Sequence, residues 1–395
     1  MSWPLVALKD CCTVVGGATP KREVEAYWDN QDIPWVTPKD ISKIKSIYFD
    51  DAPEYISQKG FDSCAAHKLP KGSLLLTSRA PIGNVAITTR ELCTNQGFKS
   101  LVPKGNVDIK YLYFCMIYSA DRLENEGNGA TFKEVSKKVV EAFKIPLPPL
   151  ETQKQIAAVL EKADQLRKDC QQMEQELNSL AQSVFIDMFG DPVTNPKGWE
   201  TESLDTIAKV QIGPFGSQLH KEDYIADGIP LINPTHIVKG QIVPDMNLTL
   251  TPEKFETLPN YHLETGDIIM GRRGEMGRTA LIDEYSQGWF CGTGSLYIRI
   301  TSQLVQPAFL NSVMSCSSMK TWLEEQSLGA TMPNLNKKIL HSIQVPIPTT
   351  AVQKNYALAL DVLCKQRQEQ KEHIKELDGL FNALMQKAFK GELDL

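Results

Sequence analysis

The sequence contains an internal duplication, which constrains the fold more than any other feature of the chain. Residues 137–154 match residues 337–354 at an offset of 200 without a gap, through a basic pair, two prolines and a Gln-Lys pair. The same offset continues along the segment that follows. An ordered series of matches at one offset is typical of a repeated structural unit. The chain therefore consists of two copies of one unit, residues 1–190 and 191–395.

The amino-terminal parts of the two copies also align, with small changes of offset. Trp3 pairs with Trp199 at an offset of 196, and Arg79 pairs with Arg273 at an offset of 194. Changes of a few residues are expected from insertions in surface loops, which tolerate them readily. Each copy is therefore repeated as a whole rather than in one short motif.

Each copy begins with a globular part of mixed patterning. Short apolar runs next to glycines, such as residues 73–77 and 267–270, are typical of buried strands. The apolar segment 111–117 fits a buried helix or a buried strand, because periodicity does not separate the two over so short a run. We therefore expect two α+β domains, at residues 1–145 and 191–345.

A proline-rich link ends each globular part, and a long helical segment follows it. In the first copy Pro146, Pro148 and Pro149 keep the link extended, because a residue before proline avoids the α region. The residues from Glu151 to Asp187 include neither Pro nor Gly. Helical regions are therefore predicted at residues 146–190 and 346–395.

The apolar residues of these helical regions are spaced as in a coiled coil. They recur at alternating steps of four and three, which is the spacing of a heptad seam. The seam residues are Leu166, Cys170, Met173, Leu177, Leu180 and Val184 in the first copy and Leu377, Leu380 and Leu384 in the second. A seam needs a partner, and the other helix is the nearest candidate. We therefore predict two long antiparallel helices between two α+β domains in a pseudo-two-fold arrangement.

Composition excludes several classes of protein. No run of 18 apolar residues occurs, so a transmembrane helix is not expected. The nine cysteines and six histidines lack the spacing of metal ligands, which argues against a zinc site. The sequence also lacks a glycine-rich phosphate-binding loop and the clustered carboxylates of a metal-dependent nuclease. We expect a non-catalytic chain without a metal, with reduced thiols in a cytoplasm.

Taken together, the duplicated layout and its motifs resemble the DNA-specificity (S) subunits of type I restriction–modification systems. Each copy has an Ile-Pro strand motif, within residues 32–36 and 228–232. Each also has a Gly-[Asp/Ser]-apolar run followed by Arg and Gly, at residues 72–86 and 266–280. Each motif is weak when it occurs singly, but the set is specific because it occurs in order and twice. The resemblance covers essentially the whole chain.

The resemblance implies a DNA reader that acts in DNA methylation and host defence. Each target-recognition domain would bind one half of a bipartite double-stranded DNA sequence. The helices would set the spacing and dock two methyltransferase subunits, with restriction subunits completing the enzyme. The docking residues would be Leu166, Met173, Leu177, Leu180, Leu377, Leu380 and Leu384. No cofactor is expected on this chain, whereas S-adenosylmethionine, ATP and Mg are expected on the partner subunits.

Local clusters of residues must supply the DNA contacts, because the net charge of −6 argues against binding through bulk charge. The strongest candidates are arginines in matched glycine-flanked loops that follow buried strands. Glycine lets the backbone approach a phosphate closely, and the arginine guanidinium can contact phosphate or guanine through two hydrogen bonds. These arginines are Arg79 in the first copy and Arg272, Arg273 and Arg278 in the second.

The remaining DNA-binding candidates are polar or aromatic residues at predicted turns. They are Thr37, Lys39, Asn95, Gln96, Phe215, Ser217, Thr235 and His236. Asn95 and Gln96 fit a bidentate contact to adenine, and they fit a turn-stabilising role equally well. The loop that contains Phe215 and Ser217 is likewise compatible with DNA contact or with a simple turn.

The sequence leaves other functions open. One is an S-type chain that pairs with a combined nuclease–methyltransferase, and another is a coiled-coil scaffold that holds two protein-binding modules. A DNA reader loses affinity steeply as salt rises, which a protein scaffold need not do. A stand-alone methyltransferase is disfavoured, because residues 232–235 lack the second proline and the aromatic ring of the amino-methyltransferase motif. Residues 36–38 duplicate that segment, which indicates a repeated structural turn.

Overall fold

The structure is a computed structural model that describes residues 3–29, 32–44, 46–79, 81–128, 133–274, 276–327 and 334–394. The chain folds into two compact units. Unit 1 comprises Met1–Gln171 and Glu372–Leu395, and unit 2 comprises Gln172–Lys371. The two boundaries lie at matched positions of the duplication. The four sequence regions given above stay a prediction.

Unit 1 contains the first α+β domain. Its strands are β1 (Leu5–Ala7), β2 (Cys12–Gly16), β3 (Ile33–Val36), β4 (Tyr48–Phe49), β5 (Glu54–Ile56), β6 (Leu74–Leu76), β7 (Val85–Thr88), β8 (Cys93–Thr94), β9 (Lys99–Pro103) and β10 (Lys144–Pro146). Its helices are α1 (Leu8–Cys11), α2 (Pro38–Ile41), α3 (Gln58–Asp62), α4 (Ile109–Tyr118), α5 (Ala120–Asn125) and α6 (Lys137–Ala142). The first long helix, α7 (Leu150–Phe189), follows. The segment whose periodicity fits helix or strand is the helix α4.

The main sheet of unit 1 has the strand order β2-β9-β6-β7-β4, and a second sheet has the order β5-β3-β8. Strand β4 runs parallel to β7, and β8 runs parallel to β3. On the central strand β6, Leu74 and Leu76 face one apolar core and Leu75 faces another. Because both faces of this strand are covered, its sequence is an unbroken apolar run rather than an alternating one.

Unit 2 contains the second α+β domain. Its strands are β11 (Thr201–Ser203), β12 (Ala208–Ile212), β13 (Tyr224–Ile225), β14 (Leu231–Ile232), β15 (Ile237–Val238), β16 (Gln241–Ile242), β17 (Thr249–Leu250), β18 (Ile268–Gly271), β19 (Thr279–Leu281), β20 (Phe290–Cys291), β21 (Ser295–Ile300) and β22 (Gln344–Pro346). Its helices are α8 (Leu204–Ile207), α9 (Pro252–Glu256), α10 (Pro307–Ser315), α11 (Ser317–Gln326) and α12 (Lys337–His341). The second long helix, α13 (Thr350–Lys390), follows.

The strand pairing of unit 2 repeats that of unit 1. Its main sheet has the order β12-β21-β18-β19, which corresponds to β2-β9-β6-β7. The parallel pair β14-β20 corresponds to β3-β8, with Ile232 opposite Cys291 where Val36 lies opposite Thr94. The antiparallel pair β11-β22 corresponds to β1-β10. The duplication inferred from the sequence is therefore confirmed at the level of backbone pairing.

Each unit packs one half of α7 against the opposite half of α13. In unit 1, Arg167 on α7 lies 3.3 Å from the carboxylate of Asp378 on α13. In unit 2, the ring of Phe185 on α7 lies 5.7 Å from that of Tyr356 on α13. The early part of one helix thus meets the late part of the other in both units, as antiparallel helices do, and this part of the prediction is confirmed. Among the described residues, no helix is long and apolar enough to cross a membrane.

The predicted heptad seam is wrong in detail. Four of its residues are 45 to 54% exposed, namely Leu166, Met173, Leu180 and Leu380. Leu177, Leu377 and Leu384 are only partly buried. The buried residues at the start of α7 are instead Gln153, Ile156, Ala157 and Leu160. They form the broad face by which the start of α7 packs on the globular core.

A buried glutamine joins the first domain to the start of α7. The Gln153 side chain is fully buried, and its Oε1 accepts a hydrogen bond from the backbone amide of Asp108 at 2.8 Å. Its Nε2 donates to the carbonyl oxygens of Asn106 at 3.1 Å and Pro148 at 2.8 Å. All three partners are backbone atoms. The amide is fully satisfied although it is out of contact with water, which is the condition for burying it without a large penalty.

The second domain repeats this arrangement at the start of α13. The Oε1 of the buried Gln353 accepts a hydrogen bond from the amide of Gln306 at 2.8 Å. Its Nε2 donates to the carbonyl oxygens of Leu304 and Pro348, both at 2.8 Å. The Gln-Lys pair noted in the sequence therefore marks a repeated contact between domain and helix.

Matched tryptophans contact the ends of the long helices. In unit 1, Trp3 Nε1 donates to the carbonyl oxygen of Ala388 at 2.8 Å. In unit 2, Trp199 Nε1 donates to the carbonyl oxygen of Phe189 at 2.9 Å. The last carbonyl groups of a helix lack partners within it, so each indole satisfies one of them. The end of α13 thus contacts the first domain in the same way that the end of α7 contacts the second.

Candidate nucleic-acid interface

Four turns of unit 1, which follow β2, β3, β6 and β8, meet at one end of its sheets. The amide of Asn95 donates to the carbonyl oxygen of Val36 at 3.0 Å, which joins the turn after β8 to the end of β3. The amide of Ser78 donates to the carbonyl oxygen of Gly97 at 2.8 Å, which joins the turn after β6 to the same place. The turns that carry the DNA-binding candidates of this domain therefore lie side by side.

The turn after β2 approaches this cluster closely through a glycine. A Cβ atom added to Gly17 would lie 2.2 Å from the carbonyl oxygens of Thr94 and Asn95. In unit 2, a Cβ atom added to Gly213 would lie 2.0 Å from the carbonyl oxygen of Gly292. No other residue fits at either position, because only glycine lacks a Cβ. The matched glycines of the sequence therefore hold two turns in contact in each unit.

Two candidates of unit 1 stabilise these turns. The Thr37 hydroxyl donates to Asp40 Oδ2 at 2.7 Å within the capping box at the start of α2. The Asn95 side chain accepts a hydrogen bond from the amide of Gly97 at 2.8 Å, as the turn-stabilising alternative predicts. The DNA-binding role of both residues stays a prediction.

Two other candidates of unit 1 present their side chains to solvent. Lys39 lies on α2 and is exposed. Gln96 is also exposed, and its Oε1 accepts a hydrogen bond from the Thr19 hydroxyl at 2.5 Å. Both side chains are accessible to a ligand on this surface.

An ion-pair network crosses the surface at Arg79. Its Nε lies 3.0 Å from the carboxylate of Glu134, and Lys99 Nζ lies 3.5 Å from the other oxygen of the same carboxylate. Burial raises the pKa of Glu134, but the hydrogen bond and charge of Arg79 and the charge of Lys99 outweigh it. The net pKa therefore lies below the ordinary value of a glutamic acid. The sequence interpretation identified Arg79 but did not identify its partners Glu134 and Lys99. The alignment of the repeats places Glu134 opposite the uncharged Asn334, and this difference between the copies was the available signal.

In unit 2, Arg272 occupies the backbone position that Ser78 occupies in unit 1. Its amide donates to the carbonyl oxygen of Gly294 at 3.1 Å, and its carbonyl accepts from the amide of Leu335 at 3.1 Å. The side chain is only 4% exposed, and Nε makes no hydrogen bond to the described residues. Burial, followed by the charge of Arg273, lowers the pKa of Arg272. Arg272 is therefore an interior residue of this structure, and its DNA-binding role stays a prediction.

Arg273 is the counterpart of Arg79 and is exposed. Its backbone pairs with that of Asn334, as the backbone of Arg79 pairs with that of Glu134. Arg278 is half-buried, and its Nη1 donates to the carbonyl oxygen of Ile237 at 3.3 Å. Of the predicted arginines in this loop, Arg273 is the one that presents its side chain to solvent.

The other candidates of unit 2 divide into exposed residues and turn-forming ones. Phe215 is 67% exposed, and Ser217 and Thr235 are also exposed. His236 is half-buried, and its Nδ1 lies 2.9 Å from the carbonyl oxygen of Leu231. Together with Asn233 it forms a capping box, as Thr37 and Asp40 do in unit 1. The repeated structural turn inferred from the sequence is therefore confirmed.

The two copies match one family model, described as the type I restriction modification DNA specificity domain. The matches cover residues 2–179 and 196–387. The chain belongs to this family. Both matches include one globular domain and most of the helix that follows it, which is the repeat recognised in the sequence.

Curated relatives show the same similarity over most or all of the chain. The chain is 29% identical to the type I restriction enzyme MjaIX specificity subunit of Methanocaldococcus jannaschii, over 99% of this chain and 93% of that one. It is 23% identical to the MjaVIII specificity subunit of the same organism, over 77% of this chain and 75% of that one. Both relatives are named as specificity subunits.

Solved structures share the fold. A crystal structure of the S subunit of a type I restriction–modification system from M. genitalium matches 100% of this chain and 97% of its own, with a TM-score of 0.58 and 15% identity. A chain from a study of assembly and conformational transition of the type I system matches 99% of this chain and 98% of its own, with a TM-score of 0.63 and 18% identity. Both matches cover the two domains and the two long helices.

Proposed function

We propose that this chain is the DNA-specificity subunit of a type I restriction–modification enzyme. The observation that carries the proposal is the cluster of turns repeated in both units, on a chain that matches the specificity family in both copies. In this proposal each unit reads one half of a bipartite double-stranded DNA sequence. A protein with two similar recognition surfaces suits a target with two half-sites.

The repeated turns have features that suit DNA. They are held rigidly by glycine contacts and backbone hydrogen bonds, and they present exposed arginine, lysine, threonine and glutamine side chains. Phosphate contacts fix position on a duplex, whereas hydrogen bonds to base edges specify sequence. Arg79 and Arg273 fit either role, and Lys39, Gln96 and Thr235 are candidates for contacts nearby. The protein-scaffold alternative does not account for matched arginines on these turns.

The proposal assigns catalysis to partner subunits. Two methyltransferase subunits would bring S-adenosylmethionine, and restriction subunits would bring ATP and Mg, while this chain positions the DNA. The half-exposed Leu166, Met173, Leu180 and Leu380 are apolar side chains available for docking those partners. Pairing with a combined nuclease–methyltransferase is the alternative partner set, and identification of the co-purified subunit distinguishes the two.

Mapping of methylated bases tests the proposal. DNA from cells that carry this chain with its partner methyltransferase is expected to be methylated at one bipartite sequence with a fixed spacer. Cells that carry the methyltransferase without this chain serve as the control and should lose methylation at that sequence. The assignment would be refuted if the control cells kept the methylation. It would also be refuted if the methylated sites that the control loses shared no common sequence.

A further inference from the structure

The arginine of the unit 1 surface is already paired with an anion. Arg79 and Lys99 share the carboxylate of Glu134, with nitrogen–oxygen distances of 3.0 and 3.5 Å. Lys99 Nζ also lies 3.3 Å from the carbonyl oxygen of Gln96 and 3.4 Å from the Ser78 hydroxyl. The two cations that could approach DNA at this point therefore converge on one carboxylate of the protein itself.

The backbone fixes the position of this carboxylate. The Glu134 amide donates to the carbonyl oxygen of Asn128 at 2.9 Å, and the Asn128 amide donates to the carbonyl oxygen of Glu134 at 3.1 Å. On the other side the backbone of Glu134 pairs with that of Arg79, and the Val135 amide donates to the carbonyl oxygen of Ser78 at 2.9 Å. Glu134 is thus placed by two neighbouring segments and is not a side chain that meets Arg79 by chance.

Unit 2 lacks a carboxylate at this position. The residue whose backbone pairs with Arg273 is Asn334, which carries no charge. The strand position of Lys99 is taken by Leu296, as the registers of β2-β9 and β12-β21 require. Among the residues that the structure describes, Arg273 therefore has no carboxylate at the position that Glu134 occupies beside Arg79.

We propose that Glu134 is a specificity-determining residue that competes with DNA for Arg79 and Lys99. This inference rests on the proposed DNA-reading function. DNA that places a phosphate or a guanine edge correctly replaces the carboxylate on both cations. DNA that is placed incorrectly leaves both cations paired with the carboxylate and gains no contact from them, which weakens that complex relative to the correct one.

The exposure of the Arg79–Glu134 pair suits this role. The side chains of Arg79 and Glu134 are 47 and 38% exposed, so water and salt screen their attraction, whereas the Lys99 side chain is 14% exposed and its attraction is screened less. Ion pairs with this exposure contribute little net stability, so a well-placed DNA phosphate displaces the carboxylate at small cost. A fully buried pair would resist displacement and would not act as a competitor.

The test compares two DNA duplexes and the complete chain assembled with its methyltransferase partners. One duplex carries the methylated sequence mapped in cells, and the other carries the same sequence with the half-site of unit 1 scrambled. The test variant is Glu134→Gln, which removes the charge and keeps the shape. Glu141→Gln is the matched control, because Glu141 pairs with Lys137 on α6 and takes no part in the Arg79 network. Melting temperatures establish that each variant is folded.

We expect Glu134→Gln to bind the scrambled duplex roughly fivefold more tightly, with a smaller change for the target, so that discrimination falls. The affinity of the variant should also fall more steeply as salt rises, because freed cations make additional phosphate contacts. The Glu141→Gln control should behave as the wild type does. The reciprocal variant Asn334→Glu should weaken binding to a duplex whose second half-site is scrambled, by roughly fivefold as well.

Two results would overturn the competition. Wild-type affinity of Glu134→Gln for both duplexes would mean that the ion pair is only structural. A selective loss of target affinity would mean that Glu134 itself contacts a base, as a carboxylate that accepts from cytosine would. Equal binding of both duplexes by the wild-type complex would refute the proposed DNA-reading function. The proposed competition between Glu134 and DNA would then be refuted as well.

Discussion

The two units have the same backbone arrangement at their candidate interfaces but carry charged side chains at different positions. Unit 1 has Ser78 where unit 2 has the buried Arg272, and Glu134 where unit 2 has Asn334. The turns that hold these residues make the same backbone hydrogen bonds in both units. The two units therefore keep the same backbone arrangement at these turns, while the side chains that the turns carry differ in charge.

A second difference between the units lies in the main sheet, at the start of β18 and on β21 in unit 2. In unit 2 the carboxylate of Asp267, which is 2% exposed, accepts hydrogen bonds from Arg299 at 2.8 and 2.6 Å. The matched residues of unit 1 are Ser73 and Val102, and the Ser73 hydroxyl donates to the carbonyl oxygen of Pro70 at 2.6 Å. One fold therefore tolerates an ion pair or a neutral pair at the same place.

Removal of one partner of the Asp267–Arg299 pair should have the largest effect on stability. Arg299→Val leaves a buried carboxylate without its cation, and we expect it to lower the free energy of unfolding by about 3 kcal/mol. The double variant Asp267→Ser, Arg299→Val installs the residues of unit 1 and should recover most of that loss. Urea unfolding followed by tryptophan fluorescence measures both. A double variant no more stable than the single one would show that the units do not tolerate the same exchange.

Loss of a buried glutamine should have the next largest effect, and it should be similar in the two units. Gln153→Ala and Gln353→Ala each remove three hydrogen bonds to backbone groups, of which the Pro148 and Pro348 carbonyls are buried, and we expect each substitution to cost about 2 kcal/mol. Gln165→Ala is the control, because that side chain is exposed and, among the described residues, bonds only to Asp169. The urea midpoints of the three variants provide the comparison. A strongly unequal loss for the two glutamines would mean that the contact between domain and helix is not equivalent in the two units.

The exposed arginines should differ in their contribution to DNA binding. Arg273→Ala should weaken binding of the assembled complex to its target about tenfold and reduce the salt dependence by about one ion. Arg79→Ala should weaken it less, since Glu134 neutralises part of the charge that this substitution removes. Titration of labelled target DNA at three salt concentrations measures both effects. Equal losses for the two variants would argue that Glu134 does not offset Arg79.

The smallest expected effect concerns the matched tryptophans. Trp3→Phe and Trp199→Phe each remove one hydrogen bond to a helix-end carbonyl, and we expect each to cost about 1 kcal/mol. Thermal unfolding followed by circular dichroism is sufficient to detect a change of this size. If only one of the two substitutions were destabilising, the two helix ends would not be held in the same way.

The sequence predicted the repeat, the two α+β domains and the two long helices, because these depend on patterns along the chain. It misplaced the seam, because Leu166 and Met173 have heptad spacing although the domain core buries other positions such as Ile156. It also treated Arg272 and Arg273 alike. The turn of the chain that buries one side chain and exposes the other depends on contacts with Gly294 and Asn334, which are distant in sequence.

The hydrogen bonds of Gln153 and Gln353 have a consequence for how such chains diversify. Both glutamines bond to backbone amides and carbonyls, so the contact does not depend on which side chains the domain carries at those positions. Substitutions that alter the reading surface therefore leave the attachment of the domain to its helix intact. Because the attachment does not depend on side-chain identity, the reading surface can accumulate substitutions while the long helices keep their sequence.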